Sequence, residues 1–102
     1  MTLIVLFNLK DEIAKDNYEV WAKTVDVPIV KKLSCIDDFK VFKTSGILGS
    51  DAIPPYQYVE VLEVNDMEQL GKEVSSDIMK QISAQFQLFA DNPIFIMSSQ
   101  IA

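Results

Sequence analysis

The chain has 102 residues, 49% of them hydrophobic, and a formal net charge of -6, which is apolar material enough for one domain spanning residues 1–102. The acidic balance excludes the basic footprint on which nucleic-acid binding depends and disfavours anionic membrane surfaces. One cysteine, Cys35, leaves no internal disulfide, so the chain reads as intracellular, with a buried structural thiol rather than a reactive one.

Residues 2–9 (TLIVLFNL) are apolar on both faces up to Asn8, the pattern of a strand covered on both sides. The apolar run 3–7 within it is far too short for a membrane span or a signal core. With no targeting segment visible, the expected location is cytoplasmic. Residues 10–15 are a charged connection. Asp16 with Glu19 then matches a capping box, and the stripe Tyr18, Trp21, Ala22, Val25, Ile29 and Leu33 predicts a helix with one face on the core. Pro28 lacks an N–H and crowds the carbonyl of Thr24, which predicts a kink or break near residues 25–27.

Residues 34–38 read as a turn and 39–44 as a strand of imperfect alternation. Residues 45–55 contain Gly46, Gly49, Pro54 and Pro55. They predict a loop longer than a usual hairpin connection, of the kind that carries function or reaches a partner. Residues 56–64 (YQYVEVLEV) are a strand rich in aromatic and β-branched residues. One face holds Tyr56, Tyr58, Glu60, Leu62 and Val64; the other holds Gln57, Val59, Val61 and Glu63. Asp66 with Gln69 makes a second capping box. It opens a helix of about six turns with the stripe Met67, Leu70, Val74, Ile78, Ile82, Phe86 and Phe89. Asn92-Pro93 stops that helix, residues 94–97 are the last strand, and 98–102 are a tail.

The order β-α-β-β-α-β predicts an α+β, ferredoxin-like domain: a four-stranded antiparallel sheet with both helices on one face. The first and last strands, and most of the third, are apolar on both faces. A lone copy would expose a large greasy sheet, which a twofold homodimer packed sheet against sheet would cover.

Several runs carry a resemblance. They are Tyr18-Glu19-Val20-Trp21-Ala22-Lys23, Asp26-Val27-Pro28, Asp37-Asp38-Phe39 and Gly46-Ile47-Leu48-Gly49-Ser50-Asp51, together with Pro54-Pro55-Tyr56-Gln57-Tyr58-Val59-Glu60-Val61 and Phe89-Ala90-Asp91-Asn92-Pro93. Together, along nearly the whole chain, the sequence resembles the RedY/HapK-like proteins of prodiginine (prodigiosin-type, red tripyrrole) pigment biosynthesis. The resemblance implies a dimeric α+β barrel and small, apolar, heteroaromatic ligands such as pyrroles. It supplies no catalytic motif.

The absence of histidine removes the commonest general base, the Ser-His and Cys-His dyads and the usual metal ligand. The carboxylates lack metal-loop spacing, and Gly46-Ile47-Leu48-Gly49 lacks the phosphate-loop lysine and the dinucleotide spacing. No metal, nucleotide or flavin is expected. What remains is an aromatic pocket with few polar groups. Its polar candidates are Asn8, Asp26, Tyr56, Tyr58 and Glu60, and its candidate walls are Trp21, Phe42, Phe86 and Phe89.

Glu60 reads in two ways: a desolvated acid or base with a raised pKa, or a carboxylate paired with Lys40 or Lys43 across the hairpin. Asp26 either faces the pyrrole N–H of a ligand or caps the segment after the kink. Trp21 serves as core or as stacking platform, and Tyr56 and Tyr58 as sheet residues or proton donors. Asn8 either joins the pocket or satisfies a backbone group at the strand end. Three roles fit: a cofactor-free protein assisting a condensation, cyclisation or dehydration, a non-catalytic carrier or partner of the pathway's condensing enzyme, or, by fold analogy alone, a cofactor-independent oxygenase.

Overall fold

The computed structural model describes all 102 residues. Its elements are β1 (Thr2–Leu9), α1 (Lys15–Trp21), α2 (Val27–Val30), β2 (Ile36–Lys43), β3 (Tyr58–Val64), α3 (Met67–Glu73), α4 (Asp77–Phe89) and β4 (Ala90–Ser98), and a π-helical stretch, Ala22–Asp26, joins α1 to α2. The strands form one antiparallel sheet in the order β2-β3-β1-β4. With the helices packed on one face, this is the ferredoxin-like arrangement.

Register decides what meets what on that covered face. Phe7 lies opposite Tyr58, Val5 opposite Glu60 and Leu3 opposite Leu62. On the far side of β3, Val41 lies opposite Glu60 and Phe39 opposite Leu62; beyond β1, Phe95 lies opposite Val5. Glu60 therefore sits in the middle of an apolar face. Phe7 anchors the core, edge-on to Tyr18 and Phe86 at centroid distances of 5.4 and 5.0 Å and stacked on Tyr58 at 5.6 Å, which are favoured aromatic separations. The opposite face carries Ile4, Leu6, Val59, Val61, Ile94 and Ile96 across its centre, with Phe42 beside them 51% exposed.

The helix does not break ahead of Pro28. Instead of breaking, the chain widens into a π turn, in which Val27 N–H donates to the carbonyl of Ala22 five residues back. That places Pro28 in the first turn of α2, where a missing N–H leaves nothing unsatisfied. The first capping box does not form. Ala14 occupies the N-cap without a side-chain bond, and Glu19 instead accepts from the Tyr58 hydroxyl at 2.7 Å and pairs with Lys43 at 3.3 Å. Of the second, the N-cap half forms, with Asp66 accepting from Gln69 N–H at 3.0 Å, while the Gln69 side chain donates to Glu73 instead of closing the box.

The six-turn helix is two helices. Residues 74–76 turn, and Ser76 caps α4 by accepting from Met79 N–H. Asn92-Pro93 lies inside β4 and not at a helix end. Asn92 has φ +45°, and the β1–β4 register shifts between Leu6 and Asn8. The proline therefore sits in a bulge on an edge strand, where its missing donor is tolerated. β2 begins at Ile36, inside the expected turn, and β3 begins only at Tyr58. Cys35 is buried, and its thiol donates to Glu73 at 2.8 Å while the Ser34 hydroxyl donates to the other Glu73 oxygen. These donors hold the Glu73 carboxyl down to about 2. Burial, with Glu73 adding to it, pushes the thiol up to about 11. No helix is long and apolar enough to cross a membrane.

Candidate functional site

A cavity of about 330 Å³ lies between the sheet and the helices α2, α3 and α4. Its walls are aliphatic and aromatic: Leu3, Val5 and Leu62 on the floor, Met79 and Ile82 above, and the rings of Phe39, Phe86 and Phe95. Exposed Val74 and Phe95, at 40% and 57%, mark its mouth. Only four polar side chains line it: Asp26, Glu60, Ser83 and Gln87.

Asp26 reaches the cavity because of the π turn. Tyr18, Ala22, Asp26 and Val30 are the buried residues of the first helical segment and stand four residues apart. In a regular α-helix each step of four advances about 40° beyond a full turn, so such a stripe winds off the core face. The wider π turn takes back that excess and keeps all four on one line. Asp26 is 5% exposed, has no hydrogen-bond partner and makes no cap bond to α2. No fully sealed side-chain oxygen in the protein lacks a partner, so the Asp26 oxygens open onto the cavity. Burial raises its carboxyl to about 7.

Glu60 is also 5% exposed. Its one protein partner is the Tyr18 hydroxyl, which donates to Oε2 at 3.4 Å. Burial and the charge of Asp26 raise its carboxyl to about 8, against the opposing effect of the Tyr18 donor. The pairing with Lys40 or Lys43 does not occur, because Lys40 bonds Asp38 and Lys43 bonds Glu19. Tyr18 is held neutral by burial and by the two carboxylates. Two carboxyl groups thus share one apolar chamber with no cation beside them, each able to hold or release a proton near neutrality. No group of three His, Cys, Asp or Glu side chains is placed to hold a metal ion.

The other candidates disperse. Phe86 lines the cavity. Trp21 lies outside it between α1 and α4, stacked on Phe86 and tilted against Phe89, and its Nε1–H donates to Gln85. Tyr58 is buried, lines a second groove of about 430 Å³ beyond Tyr18, and donates to Glu19. Asn8 accepts from Gln57 N–H and donates to the Pro55 carbonyl, securing the return of the 45–55 loop. Tyr56 precedes β3, its carbonyl held by the Thr44 hydroxyl, and Phe42 faces the open side of the sheet. Tyr18, Leu3, Phe39, Ser83, Gln87 and Phe95 join the site without having been singled out. Only for Tyr18 did the sequence hold a signal: it stands four and eight residues before Ala22 and Asp26.

The model of the family described as REDY-like protein HapK matches residues 1–101. No curated protein matches the chain. Among solved structures, HapK from Hahella chejuensis superposes with a TM-score of 0.72 at 24% identity, covering 100% of this chain and 98% of that one. A dimeric ferredoxin-like protein of unknown function from Thermobifida fusca gives 0.71 at 13% identity over 93% and 85%. A protein described as an antibiotic biosynthesis monooxygenase gives 0.72 at 10% identity over 99% and 98%. At these identities the three structures speak to the fold alone.

Proposed function

The chain belongs to the HapK family of REDY-like proteins, and on that premise we propose that it serves prodiginine pigment biosynthesis as a cytoplasmic homodimer that binds a pyrrolic intermediate and assists its condensation, cyclisation or dehydration without a cofactor. The observation that carries this is the cavity: apolar, ring-walled, and furnished with two buried carboxyl groups that no lysine or arginine neutralises. Such a chamber takes a small flat heteroaromatic, orients it and keeps water out.

Glu60 is the acid and Asp26 the base. The Glu60 carboxyl gives its proton to a departing hydroxyl; the C–O bond breaks with its electron pair leaving on water, while the pyrrole nitrogen supplies electrons. Asp26 accepts the proton that the heterocycle then sheds. Tyr18 orients the Glu60 carboxyl through its hydroxyl. The dimer follows from the bare apolar sheet face, and solved relatives of the fold from Bacteroides fragilis and Thermobifida fusca are described as dimeric.

The test is to incubate purified protein with an alkylpyrrole and a pyrrole carboxaldehyde, the two halves of a dipyrrole condensation. Accelerated product formation, lost in Glu60→Gln and Asp26→Asn while the dimer persists, is expected. Saturable binding without turnover would overturn the catalytic part and leave a carrier that hands its cargo to the condensing enzyme. Failure of either pyrrole to bind would overturn the reading altogether.

A further inference from the structure

We infer that the cavity holds its ligand as a cation: a flat, weakly basic nitrogen heterocycle bound in protonated form between Asp26, Glu60 and the phenylalanine rings. This rests on the ligand-binding reading given above and adds the charge state of what is bound.

The titratable groups facing the chamber are all acidic. α1 contributes the Tyr18 hydroxyl at its edge, the π turn contributes Asp26, and β3 contributes Glu60. From α4 come only the neutral Ser83 and Gln87; from β1, β2, β4, α2 and α3 come apolar side chains alone. No lysine lines the chamber, and none of the three ion pairs in the protein involves either carboxylate. A buried carboxylate without a counter-charge is expensive, and two that repel one another are more so. A guest that brings a positive charge relieves this cost and lets both groups ionise.

Hydrogen bonding points the same way. A neutral pyrrole carries one N–H and can satisfy one carboxylate. A protonated azaheterocycle, such as an imidazolium or a protonated dipyrrole, carries two N–H donors and a delocalised positive charge, matching two acceptor groups. Phe39, Phe86 and Phe95 line the chamber with aromatic rings, the apolar side chains whose faces attract a desolvated cation.

A matched pair of probes decides the matter. 2-Phenylimidazole and 2-phenylpyrrole have the same shape, but only the first is readily protonated. Calorimetric titration at pH 7 should show the imidazole binding at least tenfold tighter. Its affinity should pass through a maximum near neutrality. At lower pH a proton must be released for carboxylate and imidazolium to pair, and at higher pH one must be taken up. Asp26→Asn and Glu60→Gln should abolish the preference, so that the two probes bind with the same affinity as each other in either variant. Equal affinity and equal pH dependence for the two probes would overturn the inference and leave the ligand-binding reading intact. A preference that survives in both variants would also overturn it. Binding of neither probe would remove both readings. Should either variant fold poorly, the pH profile of the unaltered protein decides alone.

Discussion

The two faces of the sheet are made by the same four strands and are similarly apolar, yet they place charge in opposite ways. On the helix side the carboxylates are at the centre, with Glu60 in mid-β3 and Asp26 in the π turn above the chamber. On the open side Ile4, Leu6, Val61 and Ile96 hold the centre. The charges there keep to the margin, with Lys40 and Asp38 paired on the outer strand β2 and Glu63 bonded by the Thr2 hydroxyl at the strand end. A surface with an apolar middle and a polar rim is how a protein interface is built. An apolar surface with charge at its middle is how a binding chamber is built, because charge there is tolerated only for a purpose. The proposed function assigns the first of these faces to another copy and the second to a ligand.

The sharpest way to break that contrast is to put charge at the centre of the open face. Ile4 lies between Val61 and Ile96, and Ile4→Asp should weaken self-association at least 100-fold, since an unpaired buried carboxylate costs several kcal/mol. Sedimentation velocity at low micromolar concentration reads this directly. A wild-type chain that sediments as a monomer there, or a variant that still dimerises, would remove the open face from the interface.

Next in size is the response of the covered face to pH. Asp26 rises from 3.8 to about 7 on folding and Glu60 from 4.5 to about 8. The folded state binds more protons than the unfolded one between those limits, so the contribution of these two groups to stability is fullest below about pH 4 and falls as pH rises towards 8. Glu60→Gln should stabilise the fold at pH 8 by on the order of a few kcal/mol, read as a higher melting temperature, and should change little at pH 4. A flat stability profile between pH 5 and 8 would show that the two groups are not desolvated.

A subtler probe is Pro28→Ala. Restoring an N–H lets the helix close an ordinary α turn where the π turn now stands, and Asp26 then rotates away from the chamber. Stability should change by no more than ~1 kcal/mol, while affinity for the imidazole probe falls tenfold. Unchanged affinity would mean that other packing holds the π turn in place. Smallest of all is Lys43→Ala. It removes an exposed pair with Glu19 and should shift stability by less than ~1 kcal/mol in urea titration; a larger loss would mean that the second groove is part of the structural core.

Much of this could be read from the residues alone, because the signals were local. Strand alternation and two amphipathic stripes set the order of elements, and Asp66 with Gln69 marked a true helix start. The lone carboxylates on apolar elements, Glu60 and Asp26, pointed to the chamber. What stayed hidden depended on contacts distant in sequence. Asp16 and Glu19 looked like a cap, but Tyr58 and Lys43 compete for Glu19. Ser75-Ser76 looked harmless inside a stripe that continues on both sides of it, and that continuity masked the break between α3 and α4. The π turn has no sequence signature beyond a proline and a stripe of period four. Trp21, Tyr56 and Phe42 have the composition of pocket residues, but register and helix phase place them elsewhere.

The passage from α4 to β4 uses no linking residue: Phe89 ends the helix and Ala90 begins the strand. That end of α4 is therefore tied to the sheet with no slack, whereas its other end follows the three-residue turn at 74–76. A guest of the kind proposed above would lie under a helix whose Phe89 end cannot shift without carrying β4 with it.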